Sequence, residues 1–175
     1  MDQKERLNTL EVALNNEMRE REFYLKNAQR TKNPLGKAMF QQIGDEELEH
    51  YERLQELHQK LEKQGKWPET LPLKVKDTVV KDVLKNVLKK LDSSPAGGDE
   101  DDLKAVRTAI DFEAKGTKYY ADLRDNTSDT KVKQFFDLLA KIENEHYLSL
   151  KDTEEFLTDP VSWYERTERH TLDGA

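Results

Sequence analysis

Two short motifs in the sequence place a glutamate and a histidine three residues apart. They are Glu47 with His50 and Glu143 with His146, and both fall in stretches with helical periodicity. A spacing of three puts two side chains on one face of a helix, ~4.5 Å apart along its axis. All four residues stand in apolar stripes, at positions where leucine or isoleucine would be expected. Carboxylate and imidazole donors together on an inward face indicate a metal site.

An internal repeat extends these motifs to six residues. Each residue of the first half has a partner of the same type 96 positions later: Glu17 with Glu113, Glu47 with Glu143, and His50 with His146. The same offset relates residues of the aromatic framework and a capping position: Phe40 with Phe136, Tyr24 with Tyr120, Phe23 with Tyr119, Tyr51 with Tyr147, and Asn33 with Asp129. Two chance matches to a short motif would not share an offset with the surrounding framework.

The charge of these six residues suggests which ions they would bind. Four carboxylates that converge in a core repel one another and are costly to desolvate, unless cations lie among them. Two divalent ions would neutralise the four carboxylates formally, and each histidine would add one nitrogen donor. Mixed oxygen and nitrogen donors in this ratio suit iron or manganese better than zinc or calcium. We therefore predict two iron ions, with manganese as the alternative, bound by Glu17, Glu47, His50, Glu113, Glu143 and His146.

Helical periodicity predicts the elements that must position these residues. Five segments show it, at about 2–30, 34–64, 76–91, 99–124 and 130–157. Asn33 and Pro34 predict the start of the second helix as its N-cap and first helical residue, and Gly65 predicts its end. The acidic residues at 99–102 favour a helix start because they complement the helix dipole. No segment has the pattern of a strand.

The repeat and these helices predict an all-α, ferritin-like four-helix bundle in one domain, residues 1–175. Two pseudo-symmetric helical hairpins, 2–64 and 99–157, would face each other across an approximate two-fold axis. That axis makes the second and third long helices parallel, so the crossover 65–98, with its short extra helix, must run the length of the bundle. We expect the tail 158–175 to form an irregular strap over the bundle.

Composition narrows the function classes. The net charge of −7 argues against nucleic-acid binding, which normally needs a basic surface. The absence of cysteine excludes disulfides, thiolate catalysis, zinc fingers and iron–sulfur clusters within these residues. No stretch approaches the ~20 apolar residues of a membrane span, and the N-terminus has no apolar signal core. We expect a cytoplasmic protein with no membrane or nucleic-acid partner.

Other residues near the motifs allow two interpretations. Tyr24 and Tyr120 lie two turns beyond Glu17 and Glu113 on the same helix face. They would either fill the core or donate hydrogen bonds near the metals. His58 and His170 have no counterpart at the offset of 96, and we expect both to be ordinary surface residues.

At this point the residues resemble a known family. The stretches EMREREFYLKNA, FQQIGDEELEHYERL, EAKGTKYYADL and FFDLLAKIENEHYLSL resemble the di-iron domain of rubrerythrins. The tail DPVSWYERTERHTLDGA is similar to tails of rubrerythrin-like chains that lack a rubredoxin part. The resemblance covers the four long helices and the tail. It implies that the six residues are the metal ligands and that the activity is reduction of hydrogen peroxide at a di-iron centre.

The chain departs from the family pattern in two places. Many rubrerythrins carry a rubredoxin domain with four cysteines, so here the electron donor is expected to be external, such as a separate rubredoxin or a small reductant. Many also have an extra glutamate three residues beyond the third-helix ligand, where this chain has Gly116. The position related by the repeat is Glu20, which would be either a seventh carboxylate ligand or a surface charge among its charged neighbours.

Three functional hypotheses follow. The leading one is a non-haem di-iron peroxidase of the rubrerythrin type. The second is a ferroxidase or iron-handling protein that uses oxygen or peroxide at the same site. The third is a metal-binding helical protein without turnover. The proton donor is not identified by the sequence, and we expect a homo-oligomer in each case.

Overall fold

The structure is a computed structural model that describes residues 2–68, 75–90 and 97–172. These residues contain six helices and no strand, so the predicted all-α class is confirmed. The end of the predicted third helix at position 91, the crossover loops around it and the side chain of His170 lie outside this description. The helices are α1 (Gln3–Arg30), α2 (Pro34–Gln64), α3 (Val80–Leu88), α4 (Glu100–Asp125), α5 (Thr130–Thr158) and α6 (Pro160–Leu172).

The ends of the long helices follow from local sequence. The Asn33 side chain accepts hydrogen bonds from two backbone amides at the start of α2, and Pro34 is the first residue of that helix. Gly65 ends α2 with a φ of 68°, in the left-handed region that glycine adopts without steric cost. Asp129 caps α5 in the same way as Asn33 caps α2, whereas Asp99 caps α4 through a capping box in which the side chains of Asp99 and Asp102 each accept the other's backbone amide. The predicted start and end of α2 are therefore confirmed.

The four long helices form two hairpins, α1–α2 and α4–α5, which have the most extensive helix pairings in the described chain. Short connections at 31–33 and 126–129 make the helices of each hairpin antiparallel. Two hydrogen bonds join α1 to α4 near opposite ends. Arg30 Nη2 donates to Asp102 Oδ1 at 2.7 Å, and the Tyr119 hydroxyl donates to the Thr9 carbonyl at 2.8 Å.

The apolar core is divided into two clusters. One gathers the start of α1, the ends of α2 and α4, and the start of α5, with Leu10, Leu54 and Leu139 among its members. The other gathers the opposite ends of the same helices and includes Phe40 and Leu150. This distribution makes α2 and α4 parallel, as the long crossover requires. Full burial of each large apolar side chain contributes roughly 1.5–3 kcal/mol, so the two clusters can stabilise a polar layer between them.

The crossover helix α3 is shorter than predicted, since residues 76–79 are not helical. The backbone amides of Lys76 and Val79 donate instead to the side chains of Glu49 and Glu46 on α2, at 3.3 and 3.1 Å. Val80 then begins the helix and is fully buried in the second apolar cluster. The crossover is thus anchored to α2 by hydrogen bonds before its helix starts.

The tail is a helix, α6, so the prediction of an irregular strap was wrong. Asp159 accepts hydrogen bonds from the backbone amide and the hydroxyl of Ser162, and Pro160 stands at the first helical position. This is the same start signal as Asn33–Pro34. The ring of Trp163 then packs edge-on against Phe156 of α5, with 5.7 Å between centroids.

None of the helices in the described residues is long and apolar enough to cross a membrane.

Candidate metal centre

The six predicted ligands lie together at mid-length of the bundle, in the layer between the two apolar clusters. Each is at most 2% exposed. Each long helix contributes at least one of them: Glu17 from α1, Glu47 and His50 from α2, Glu113 from α4, and Glu143 and His146 from α5. The repeat in the sequence therefore corresponds to one buried cluster. His58 lies outside it and is partly buried beside Glu11, so it is less exposed than expected.

The six residues form two overlapping groups of four, and in each group the potential ligand atoms lie within 4.8 Å of one another. Two glutamates, Glu47 and Glu143, belong to both groups. The first group adds Glu17 and His50, and the second adds Glu113 and His146. Two neighbouring positions, each with three carboxylates and one imidazole, are thus related by the pseudo-two-fold axis. These residues could hold metal ions, with Glu47 and Glu143 within reach of both positions.

The two histidines direct the same ring atom into the cluster. His50 Nδ1 lies 3.1 Å from Glu47 Oε2 and 3.3 Å from Glu143 Oε1. His146 Nδ1 lies 3.4 Å from carboxylate oxygens of Glu47 and Glu113. The two rings are nearly parallel, with 5.9 Å between centroids. Each group therefore has one imidazole nitrogen aimed at the space between its carboxylates.

The cluster contains buried polar atoms that the protein itself does not satisfy. Six of its oxygen and nitrogen atoms have no hydrogen-bond partner among the described residues: Glu17 Oε2, Glu47 Oε1, Glu113 Oε2, both carboxylate oxygens of Glu143, and His146 Nδ1. Buried polar groups without partners are rare because each costs about 1–3 kcal/mol. A pair of cations would satisfy all of these atoms, so the donor set fits a dinuclear metal site.

The close approach of four buried carboxylates shifts the pKa values of residues in the cluster when no metal is bound. Burial and the charge of Glu47 raise the pKa of Glu17 well above its ordinary value, and burial and Glu143 do the same for Glu113. Burial by itself would lower the pKa of His50, but the adjacent carboxylates raise it well above the ordinary value. The metal-free cluster therefore retains protons, which metal ions would displace on binding.

Two tyrosines hold the non-shared carboxylates from the opposite hairpin. The Tyr24 hydroxyl donates to Glu113 Oε1, and the Tyr120 hydroxyl donates to Glu17 Oε1. Burial raises the pKa of both tyrosines well above the ordinary value, so both remain protonated donors. Both rings also belong to the apolar clusters. The tyrosines therefore fill the core and donate hydrogen bonds to predicted ligands at the same time.

A carboxylate that the sequence reasoning missed holds one of the histidines. Glu46 Oε2 lies 2.6 Å from His146 Nε2 and also accepts hydrogen bonds from Gln42 and the Val79 amide. Burial raises the pKa of Glu46, but the hydrogen bond and charge of His146, together with hydrogen bonds from Thr78 and Gln42, lower it overall. An ionised Glu46 accepts the Nε2 proton, so Nδ1 is the ring atom that would offer its lone pair to a metal ion. Its number falls outside the repeat, because the position 96 residues later is Ile142.

Glu20 lies beside the cluster but is not a member of either group. It is partly buried and lines a cavity between α1 and α4 together with Gly116. Burial raises the pKa of Glu20 to about 11, and Glu143 makes the next largest contribution to the increase. Glu20 is thus electrostatically coupled to the cluster and is not an isolated surface charge.

A bundle whose middle layer is a buried cluster of glutamates and histidines able to bind metal defines a ferritin-like metal-binding protein. The rubrerythrin family model matches residues 8–154, and the chain belongs to this family. The matched segment contains all six predicted ligands, the two tyrosines and Glu46. No curated protein and no solved structure matched the chain in the corresponding comparisons.

Proposed function

We propose that this chain is a non-haem di-iron oxidoreductase that reduces hydrogen peroxide with electrons from an external donor. The observation that favours it most is the set of six buried, unpartnered ligand atoms in two overlapping groups. Membership of the rubrerythrin family supports the same reading. The relative rates of oxidation by peroxide and by oxygen separate peroxide reduction from other di-iron chemistry.

The residues divide naturally between two ions. Glu17 and His50 would bind one ion, and Glu113 and His146 the other, with Glu47 and Glu143 shared. Four carboxylates balance the charge of two divalent ions, which favours binding without further anions. When loaded with ferrous iron, such a pair supplies the two electrons that cleavage of the O–O bond needs. Manganese fits the same donor set and is the alternative metal.

The remaining residues would hold this centre in place and shield it along the bundle axis. The apolar clusters on both sides limit water access along the bundle axis. Tyr24 and Tyr120 restrain the carboxylates that each bind a single ion, and Glu46 restrains His146. Fixed ligands cost less reorganisation when the metal charge changes during a redox cycle.

The electron donor must come from outside these 175 residues. They contain no cysteine, so they cannot bind a rubredoxin-type iron. We propose a separate rubredoxin or a small reductant as the donor. Sustained turnover should then depend on the added reductant, whereas a single round of oxidation should not.

Glu20 is our candidate for a seventh carboxylate that approaches the metals in one oxidation state. If so, Glu20→Ala should slow oxidation by peroxide while both metals stay bound. Glu22→Ala is the matched control, since Glu22 is exposed on the same helix. Equal rates for the two variants would restrict Glu20 to an electrostatic role.

The proposed function is tested by stopped-flow absorbance of the anaerobic ferrous protein mixed with peroxide or oxygen. We expect oxidation by hydrogen peroxide to be much the faster reaction. Faster oxidation by oxygen, with ferric iron accumulating in a large assembly, would instead establish an iron-handling protein. Stoichiometric metal with neither reaction would establish a binding protein without turnover.

A further inference from the structure

A cavity of about 300 Å³ opens between α1 and α4 beside the candidate metal centre. Its inner end is lined by Glu17, a predicted ligand, and by Gly116. Its outer end is lined by Arg19 and Lys115, which are exposed. The cavity therefore connects the surface of the bundle with the layer that contains the cluster.

Gly116 accounts for the inner end of this cavity. A glycine in a helix interior costs about 1 kcal/mol relative to alanine, so its presence in α4 needs a structural reason. A Cβ atom at this position would lie 2.8 Å from Glu143 Oε2 and 3.3 Å from the Glu143 carboxyl carbon. Any side chain at position 116 would therefore press on the Glu143 carboxylate.

Two hydrogen bonds near the helix ends and a small residue at position 16 leave room for the cavity between α1 and α4. The contacts Tyr119–Thr9 and Arg30–Asp102 join α1 and α4 near their ends, while the cavity occupies the region between them. Phe112 lines one side, and the residue related to it by the repeat is the much smaller Asn16, which also lines the cavity. The cavity therefore results from the way in which α1 and α4 pack against each other.

The cavity is larger than hydrogen peroxide requires. At ~30 Å³ per water it could hold about ten waters, whereas hydrogen peroxide has two heavy atoms. The volume instead matches the lower end of the range for small-molecule pockets, ~300–1,000 Å³. The lining residues include the aromatic Phe112, Tyr119 and Tyr120 and the acidic Glu17 and Glu20. An apolar wall with polar groups suits an amphiphilic molecule with one small polar end.

We propose that this cavity binds the organic part of a small alkyl or aryl hydroperoxide, ROOH, with its O–O group toward the metal centre. This inference rests on the proposed peroxidase function and specifies its substrate class. In the reaction the O–O bond breaks, two electrons and two protons are consumed, and the alcohol ROH and one water are released. The electrons come from the reduced metal pair and, over a full cycle, from the external reductant.

Binding is tested without turnover by saturation-transfer NMR of cumyl alcohol with the metal-containing protein. This alcohol is the product expected from cumene hydroperoxide. We expect transfer with the wild-type protein and its loss in Asn16→Phe, which places a ring inside the cavity. The matched control is Asn15→Phe, since Asn15 is exposed one residue earlier on α1. Absence of transfer with the wild-type protein, or equal transfer in Asn16→Phe, would overturn the proposal.

Kinetics give the second measurement. Stopped-flow oxidation of the ferrous protein by cumene hydroperoxide and by hydrogen peroxide gives a rate ratio for each variant. We expect Asn16→Phe to lower the ratio of organic to hydrogen peroxide by about tenfold, a typical effect of altered pocket volume. Asn15→Phe should leave the ratio at the wild-type value. Metal content and melting temperature verify each variant, and Asn16→Leu replaces Asn16→Phe if the larger ring prevents folding.

The two proposals fail in different ways. Rapid oxidation by hydrogen peroxide, combined with no reaction toward cumene hydroperoxide, would refute the organic substrate and leave the peroxidase function standing. No reaction with either peroxide would refute the function itself. Alcohol binding that Asn16→Phe does not affect would place the organic site elsewhere and so overturn the assignment of this cavity.

Discussion

The two hairpins contribute the same donors to the cluster but surround them differently. Each provides two glutamates and one histidine at matching positions, and each provides a tyrosine that reaches across to the other hairpin's carboxylate. The two hairpins differ in the residues that surround these six predicted ligands. Glu46 holds His146, whereas the position related to Glu46 is Ile142, which cannot accept a hydrogen bond.

A second difference lies between α1 and α4. Glu20 and Gly116 occupy positions related by the repeat and both line the cavity, but Glu20 carries a carboxylate whereas the missing side chain of Gly116 leaves room for the Glu143 carboxylate. The pseudo-symmetry is therefore preserved in the six predicted ligands and broken at Glu46, which holds His146, and at Gly116, which lines the cavity. The two proposed metal positions should consequently be alike in ligands and unlike in affinity and reactivity.

The shared carboxylates should give the largest effect. Glu47→Ala combined with Glu143→Ala removes two donors from each group, so elemental analysis should fall from two ions per chain to nearly none. The matched control is Glu49→Ala combined with Glu145→Ala, a pair at the same offset that belongs to neither group. Retention of both ions by the first double variant would defeat the ligand assignment.

Removal of metal should produce the next largest effect, on stability. At a thousandfold excess over Kd, binding adds about 4 kcal/mol, and a chain of this size gains ~2–4 °C per kcal/mol. We therefore expect chelation to lower the melting temperature by on the order of 10 °C. Ferrous or manganous ion should restore it. An unchanged melting curve after verified metal removal would be inconsistent with a buried site.

The metal-free protein should also acquire a distinct pH dependence. Its folded state has raised pKa values at Glu17, Glu113, His50 and His146, so it binds protons that the unfolded state releases above about pH 4.3 for glutamate and about 6.5 for histidine. Stability must then fall as pH rises through this range. The lowered pKa of Glu47 acts only at more acidic pH.

Melting curves of the chelated protein from about pH 5 to about pH 8 test this sign. We expect the melting temperature to decrease steadily with pH in the metal-free form and to change less in the metal-loaded form. A metal-free protein that becomes more stable toward alkaline pH would show that the carboxylates are not crowded as the structure has them.

Removing Glu46 should break the near-equivalence of the two positions. Loss of a carboxylate that orients a ligating histidine typically weakens metal binding by about 10–100-fold. In Glu46→Ala we expect one ion per chain to bind more weakly by that factor, while the ion beside His50 is affected less. The control is Asp45→Ala, since Asp45 is exposed next to Glu46. Equal weakening of both ions would show that Glu46 acts on the cluster as a whole.

The internal repeat and local helix signals allowed the ligands and the helix ends to be predicted, whereas the role of Glu46 could not be predicted from the sequence. Glu17 and Glu113 could be assigned because the offset of 96 connected them to the Glu-x-x-His motifs, and the helix ends at Asn33 and Gly65 have direct local signals. The role of Glu46 depends on α5 and on the non-helical segment before α3, two contacts from distant parts of the chain. No local pattern encodes such a contact.

The errors at α3 and α6 have equally specific causes. The sequence predicts a helix start at about 76, whereas in the structure carboxylates of α2 accept the Lys76 and Val79 amides and hold residues 76–79 outside the helix. For α6, the Asp159–Pro160 start signal was present, but the proline and the aromatic residues suggested irregular structure. The same pair of an N-cap residue and a following proline correctly predicts the helix start at Asn33–Pro34. The start of α6 was therefore present in the sequence and could have been predicted.

The smallest expected effect comes from the two tyrosines at positions related by the repeat, and it tests whether the two hairpins are equivalent there. Tyr24→Phe and Tyr120→Phe each remove one hydrogen bond to a carboxylate that binds a single ion, at a cost of about 1 kcal/mol or ~2–4 °C in melting temperature. Because the two hydroxyls occupy related positions, the two variants should lose similar stability and should release metal to a chelator at similarly increased rates.

A third tyrosine separates stability from metal binding. Tyr119→Phe loses a hydrogen bond to the Thr9 carbonyl, outside the cluster, so it should lower the melting temperature by a comparable amount without accelerating metal release. Metal release measured with a chromogenic chelator distinguishes the three variants. Unequal release from Tyr24→Phe and Tyr120→Phe would mean that the asymmetry seen at Glu46 and Gly116 extends inward to the carboxylates themselves. The two halves would then differ at every level except the identity of their ligands.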